Sequence, residues 1–447
     1  MTEPIISVSG LRGIVGESLT PEVALRYVAA FASTLPPGPM IVSRDGRATG
    51  PMLVGVVQSG LMAVGRDVLD AGIAATPTLG VLVRQHLAVG GVQISASHNP
   101  PQYNGIKLFS GEGRVIPAVP GRMVLEAYRA GQVAWVSHER IGNLTRLEDT
   151  TSEHEKLLLA TVDGEAIRKK KYRVLLDSNR GAGSILGVKL LESLGCEVVL
   201  LGGETDGKFE HPPEPTAENL QVVTRKVLSA RGDIGFCQDP DADRLAIIDE
   251  TGRYIGEEYT LAICADHILQ QRKGPVVTNC ATSRMTQDLA IKHGVPIFQS
   301  AVGEANVVDE MLTRNAAFGG EGNGGPIDPR VGLVRDSFVG MIQVLSAMAC
   351  RGKKISELAD ALPRYEIRKT TVKLPPAKLP KALDAMQQRF PDAKADRLDG
   401  LRLDWPDRWL IVRGSNTEPI VRAIAEAPTA SAAEELCQTA AQVVAAL

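Results

Sequence analysis

Short apolar runs alternate with amphipathic stretches through most of this chain. Met40-Ile41-Val42-Ser43 and Val89-Gly90-Gly91-Val92-Gln93 are apolar runs of strand length, each followed by turn residues. Residues 51–64 and 77–86 have helical spacing, and 67–72 reads as a strand entering a turn. Upstream, Thr20-Pro21 predicts a capped helix start, with Val23, Ala24, Tyr27, Val28 and Phe31 on one face. Gly105 predicts a turn, and 106–109 a further strand. Strands alternating with helices predict crossover units and a mostly parallel sheet, with ligand loops at the carboxyl ends of the strands.

The pattern breaks at 135–165, which is rich in charge and threonine, and predicts a boundary near 145. It resumes with strands at 172–177, 196–200, 233–237 and 245–249 and helices at 181–194 and 216–230. A third α/β unit has helices at 257–271 and 283–293, strands at 275–279 and 296–299, and a helix opened by Arg335-Asp336-Ser337. After 363 strands cluster at 370–374, 401–405, 409–412 and 420–424, with helices at 377–389 and 432–447, which is an α+β pattern.

Composition narrows the classes. At 447 residues the chain is too long for one core. The net charge of −3 offers no general attraction for nucleic acid or an anionic membrane. No apolar run has bilayer length, and no signal peptide is visible. Six cysteines without a Cys-x-x-Cys pair argue for reduced thiols in the cytoplasm and against a zinc site.

Several stretches carry candidate chemistry. In Ile94-Ser95-Ala96-Ser97-His98-Asn99-Pro100, small residues before His-Asn-Pro predict an irregular loop at a strand end, able to expose the Ser97 hydroxyl. His98 is the one histidine of seven that falls in a motif. Alone, the stretch reads equally as a polar turn. In Gly10-Leu11-Arg12-Gly13 the glycines suit backbone approach to an anion gripped by Arg12, although alone the stretch reads sooner as a surface turn; Lys107 follows the serine loop closely enough to neutralise phosphate or move a proton, and reads equally as a solvated strand lysine.

Gln238-Asp239-Pro240-Asp241-Ala242-Asp243-Arg244 alternates three carboxylates, Asp239, Asp241 and Asp243, in an extended loop. Carboxylates this dense favour a cation, and Mg2+ is the usual one beside phosphate. A calcium loop needs glycine where Arg244 stands, and an Asp-x-Asp phosphatase wants Thr or Val at 243. Phe318-Gly319-Gly320-Glu321-Gly322-Asn323-Gly324-Gly325 predicts a glycine-rich loop whose Glu321 and Asn323 suit sugar hydroxyls. Arg413-Gly414-Ser415-Asn416-Thr417 predicts a phosphate cradle of Arg413, Ser415, Asn416 and Thr417. Without a nucleotide-binding motif, these features suggest phosphoryl transfer on a phosphosugar with a phosphorylated serine as donor.

Together these motifs, in this order and spanning the chain, resemble the α-D-phosphohexomutase superfamily. The resemblance implies an α/β fold of four domains around a central cleft. Three are α/β with mixed, mostly parallel sheets (1–145, 146–245 and 246–362), and a C-terminal α+β domain covers 363–447. It implies that Ser97 is a phosphoserine and also a metal ligand, with Asp239, Asp241 and Asp243 binding one Mg2+. Glu321 corresponds to the sugar ligand, and Arg12, Lys107 and Arg244 to positions near the reacting phosphate. A phosphoryl group would move between the 6- and 1-positions of a hexose phosphate through a hexose bisphosphate, in a monomer or homodimer with a small-molecule sugar phosphate as partner. Asn323 departs from the family's usual serine. Glu304 follows Gly303 where members acting on glucose and mannose phosphates often have histidine, and resembles the phosphoglucosamine mutases, so glucosamine phosphate is the expected sugar and glucose or mannose phosphate the alternative. A catalytically silent sugar-phosphate sensor and a phosphatase are further alternatives.

Overall fold

Four sheets succeed one another along the chain in the computed structural model, which describes residues 3–7, 10–414 and 420–446. The first has seven strands in the order Ile5–Ser7, Gly10–Ile14, Tyr103–Ser110, Gly90–Ile94, Met40–Arg44, Val68–Ile73 and Leu144–Arg146. The last four run parallel, as helical crossovers require. The first three join antiparallel, and Tyr103–Ser110 also pairs antiparallel with Gly90–Ile94. That hairpin puts Lys107 beside Gln93, a short distance from the serine loop.

The second sheet orders Leu245–Asp249, Ile234–Gln238, Arg173–Asp177 and Glu197–Leu201. The third orders Ile297–Ser300, Val276–Asn279, Phe318–Glu321 and Gly325–Ile327. Both are parallel except for one hairpin each, 234–249 and 318–327. The fourth is antiparallel throughout: Glu366–Lys373, Ile420–Ala427, Trp409–Gly414, Leu401–Asp404 and Lys394–Asp396. Apolar residues of Leu379–Arg389 and Ala430–Ala445 complete its core.

The helix Ser337–Arg351 ties the middle of the molecule together. Every residue from Ser337 to Ala349 is buried, so the helix is covered all round rather than amphipathic, its few polar side chains such as Gln343 and Ser346 hydrogen-bonded inside. Phe338 and Ile342 share one core with Leu190 and Phe236 of the second sheet's layer and with Val276 and Phe318 of the third. Its start is fixed by Asp336, whose carboxylate accepts from the amides of Phe338 and Val339.

Two local expectations are corrected. Gly105 is not a turn residue; it sits inside Tyr103–Ser110, opposite Arg12. A side chain there would meet Ser95 O at 2.6 Å and Leu11 O at 2.9 Å, so glycine lets neighbouring backbone close in. The glycine-rich stretch is likewise not a loop throughout: Phe318–Glu321 is a buried strand, and a β-carbon at Gly319 would strike Met311 and the Val277 carbonyl. The edge strands Leu144–Arg146 and Lys394–Asp396 and the helix Ala118–Ala130 escaped the pattern because they are short or mostly exposed. Among the described residues no helix is long and apolar enough to cross a membrane.

Candidate active site

The serine loop and the acid loop meet face to face. Gly90–Ile94 ends and the chain turns through Ser97, which has a left-handed backbone (φ 49°), rare for a residue with a side chain. Its amide donates to Ser95 Oγ at 2.9 Å, and Ser95 donates to Asp45 at 2.6 Å. The acid loop closes the hairpin between Ile234–Gln238 and Leu245–Asp249, tightened by Ala242 at φ 56° and by the Ala242 amide on Asp239 O at 2.9 Å. Ser97 Oγ then donates to Asp239 Oδ2 at 2.6 Å.

Asp239, Asp241 and Asp243 are all fully buried, with ligand oxygens within 4.8 Å of one another. Three carboxylates so close need positive charge. Lys107 Nζ supplies part, at 2.5 Å from Asp241 and 3.0 Å from Asp243. Arg335 adds another contact, at 2.7 Å from Asp243. Thr76 Oγ1 donates to Asp241 at 2.5 Å. Burial, then the Asp243 and Asp241 charges, push the Asp239 carboxyl well above its usual range. Burial opposes the charge on Asp243 too, but Arg335, Lys107 and Arg244 outweigh it and hold that carboxyl well below.

The fit to a small hard cation rests on the oxygens left over. Asp241 Oδ1 and Asp243 Oδ1 are buried without a hydrogen-bond partner. Orphaned buried carboxylate oxygens are costly, and an oxygen-seeking divalent ion is a partner that would satisfy them.

The other candidates gather around this centre. Arg12 Nη1 donates to Asn99 Oδ1 at 3.1 Å; burial and then Arg244 draw its pKa down. His98 Nδ1 lies 3.3 Å from Ser97 Oγ. Burial first, then Arg244 and Arg12, lower its pKa to about 2, so the ring is neutral. Arg244 lies 3.9 Å from both Asp243 and Glu214.

Glu321, Asn323 and Glu304 join through Arg335, a residue whose role was not legible beforehand. Its guanidinium reaches Asp243 at 2.7 Å, Glu321 at 2.8 Å and Glu304 at 3.4 Å. Glu321 also accepts from Asn279 at 2.8 Å, Gly303 N at 3.0 Å and Asn323 at 3.4 Å, leaving Asn323 Oδ1 buried and unpartnered. Glu304 is committed to Arg335, accepting from its amide at 2.9 Å as well; burial pushes its carboxyl up to about 7. A charged residue directly before a cap and a mostly apolar, buried helix was the available signal for Arg335. The Glu258 carboxylate packs where a β-carbon of Gly322 would stand.

Arg413 is not part of this cluster. It is the penultimate residue of the strand Trp409–Gly414 and pairs with Asp399 at 3.1 Å, and Asp399 in turn accepts from Val302 N at 3.0 Å. Ser415, Asn416 and Thr417 lie outside the described residues.

Domain models match the chain in series. The three described as phosphoglucomutase/phosphomannomutase alpha/beta/alpha domains I, II and III match 5–131, 153–252 and 257–365, and the one described as the C-terminal domain matches 370–443. A Thermococcus kodakarensis protein named phosphoglucomutase/phosphomannomutase is 38% identical over 95% of this chain and 95% of its own. A Methanopyrus kandleri protein named "Probable phosphoglucosamine mutase" is 34% identical over 96% of this chain and 95% of its own. The crystal structure of a phosphoglucomutase/phosphomannomutase family protein from Burkholderia thailandensis aligns with a TM-score of 0.84 at 25% identity, over 99% of this chain and 98% of that one.

Proposed function

From the premise that this chain belongs to the phosphoglucomutase/phosphomannomutase family and is a phosphohexomutase, an intramolecular phosphotransferase, we propose that Ser97 carries the phosphoryl group that it exchanges with a hexose phosphate. The observation that carries this reading is the Ser97 hydroxyl held at 2.6 Å from Asp239, inside the buried acid triad.

Asp239, Asp241 and Asp243 would hold one Mg2+ with Ser97 beside them. When bound, that ion supplies charge neutralisation as the phosphorus–oxygen bond to serine breaks and forms. This chain's own residues do the rest. Phosphoserine 97 gives its phosphoryl group to a free hydroxyl of the sugar monophosphate; the resulting bisphosphate turns over, and its other phosphate returns to Ser97. Arg12, Lys107 and Arg244 balance the charge of the phosphate at this end. Arg413, with Ser415, Asn416 and Thr417, would grip the phosphate at the far end. Glu321 and Asn323 read the sugar hydroxyls between them, Asn323 through its unpaired oxygen.

The substrate we propose is glucosamine-6-phosphate, converted to glucosamine-1-phosphate. Support comes from the acidic residue at 304 and from the name of the Methanopyrus kandleri relative. A second reading, glucose or mannose phosphate, is favoured by the higher identity to the Thermococcus kodakarensis protein. Parallel assays with glucosamine-, glucose- and mannose-6-phosphate decide between them; the highest kcat/KM on mannose-6-phosphate would reverse the assignment.

A further inference from the structure

The segment Asp45-Gly46-Arg47 follows the strand Met40–Arg44 and takes no part in the chemistry above. Yet Arg47 is 1% exposed, and both its terminal nitrogens are spent on carbonyls of the serine loop and the strand after it. Nη2 donates to Ser97 O and to Asn99 O, both at 2.6 Å. Nη1 donates to Pro100 O at 2.9 Å and Tyr103 O at 3.0 Å. Nε donates to Asp45 Oδ2 at 3.2 Å, the oxygen that also receives Ser95 Oγ, and Ser95 receives the Ser97 amide. Ser97 is thus tied at both its N–H and its C=O to one arginine–aspartate pair.

The outer face of that guanidinium is covered from the second domain. The Phe209 ring lies over it, 5.0 Å from ring centre to Cζ. Gly207 packs so close that a β-carbon there would meet Arg47 N at 2.9 Å. The Phe209 loop is anchored in turn: Asn179 accepts from Glu210 N at 2.9 Å and donates to His211 O at 3.1 Å, while His211 pairs with Asp177 at 2.7 Å.

We propose that Arg47, roofed by Phe209, is a positioning residue that fixes the direction of the Ser97 hydroxyl and so sets the rate of phosphoryl transfer. The proposal rests on the reading of Ser97 as the phosphoryl carrier. The reason is conformational. Ser97 stands in a left-handed backbone that a serine does not choose, and it persists only where its surroundings over-determine it. Four carbonyls converging on one planar fork do that. Lysine, a point charge with three donors, cannot reproduce the fork.

The test uses the full chain with Arg47→Lys, Arg47→Ala and Phe209→Ala, each incubated with glucose 1,6-bisphosphate to load Ser97 and assayed on whichever of the three hexose 6-phosphates the unmodified enzyme turns over fastest. Arg47→Ala and Arg47→Lys are expected to lower kcat per folded molecule about 100-fold while leaving KM within about threefold, the signature of misplacement rather than lost binding. Guanidinium ion at about 20 mM, far below its denaturing range, is expected to restore at least about tenfold to Arg47→Ala, where sodium chloride does not. Phe209→Ala, at a half-buried position in a loop outside the sheets, is expected to lower kcat about fivefold with the thermal midpoint within about 2 °C. Retention of kcat within about twofold by both Phe209→Ala and Arg47→Lys overturns the proposal, as does a loss in Arg47→Ala that guanidinium leaves unmoved. Peptide mapping that finds phosphate on Ser97 of the unmodified enzyme keeps the underlying reading intact in that event. Its absence there, with full activity in Ser97→Ala, overturns that reading and this proposal together.

Discussion

The Ser97 hydroxyl donates to Asp239 Oδ2 across 2.6 Å, although the two residues stand 142 positions apart. The contact joins the first sheet to the second and sets the oxygen proposed to carry the phosphoryl group against the buried acid triad. Ser97→Ala removes that oxygen and little else. Mutase turnover is expected to fall by at least about 10³-fold with the fold retained, measured by coupled assay and circular dichroism. Residual activity within tenfold of wild type would remove Ser97 from the reaction.

Chelation is expected to abolish turnover, and Mg2+ to restore it. The metal-free chain should also gain thermal stability as Mg2+ is added, by about 2.7 kcal/mol at a hundred times the dissociation constant. The gain should vanish in Asp241→Ala. Calorimetric scans with and without the ion check this, and an unchanged midpoint counts against the triad as a cation site.

Removing the counter-ion of the acids should cost more than removing any one acid. Arg335 is buried against Asp243, Glu321 and Glu304. Arg335→Met leaves three buried carboxylates short of charge, and a loss of about 3–5 kcal/mol is expected from urea unfolding. A loss below about 1 kcal/mol would mean that the neighbouring cations suffice.

Stability should fall as pH rises through a window that Glu258 shares with Glu257 and Glu304, both pushed up to about 7 by burial. Burial pushes the Glu258 carboxyl from 4.5 up to about 8 in the folded chain. The folded state therefore holds a proton that the unfolded state has already released. This contribution favours folding in full below about pH 4.5 and drains away as pH climbs to about 8. Urea midpoints measured across that range should decline, and Glu258→Gln should flatten the decline. An identical slope in both proteins would assign it elsewhere.

The candidate site was legible where its chemistry is local. Alternating aspartates, a serine before His-Asn-Pro and a Lys107 one hairpin away are neighbours in sequence or one strand apart, so short-range pattern suffices. Arg335, Thr76 and Asn279 were missed because each is a single polar residue at the end of an apolar element, and its partners stand far away in sequence, on another strand or another sheet. The same limit explains Gly105 and Gly319. A glycine reads as a turn when only its own chain is considered, whereas here the neighbouring strand or helix excludes a side chain. The repeating α/β units were plain from periodicity, but the antiparallel hairpins at 90–110, 234–249 and 318–327 were not, because pattern does not reveal strand direction.

Arg335 leaves the enzyme unable to tune its two ends independently. One guanidinium serves Asp243 of the acid triad, Glu321, which is proposed to read the sugar, and Glu304 beside it. If 304 and 321 select the sugar as proposed, a mutation that retunes that choice frees or crowds a share of this charge, and the affinity of the acid triad for a divalent ion is expected to move with it. Variants at these positions are then expected to differ in the magnesium concentration at which they work.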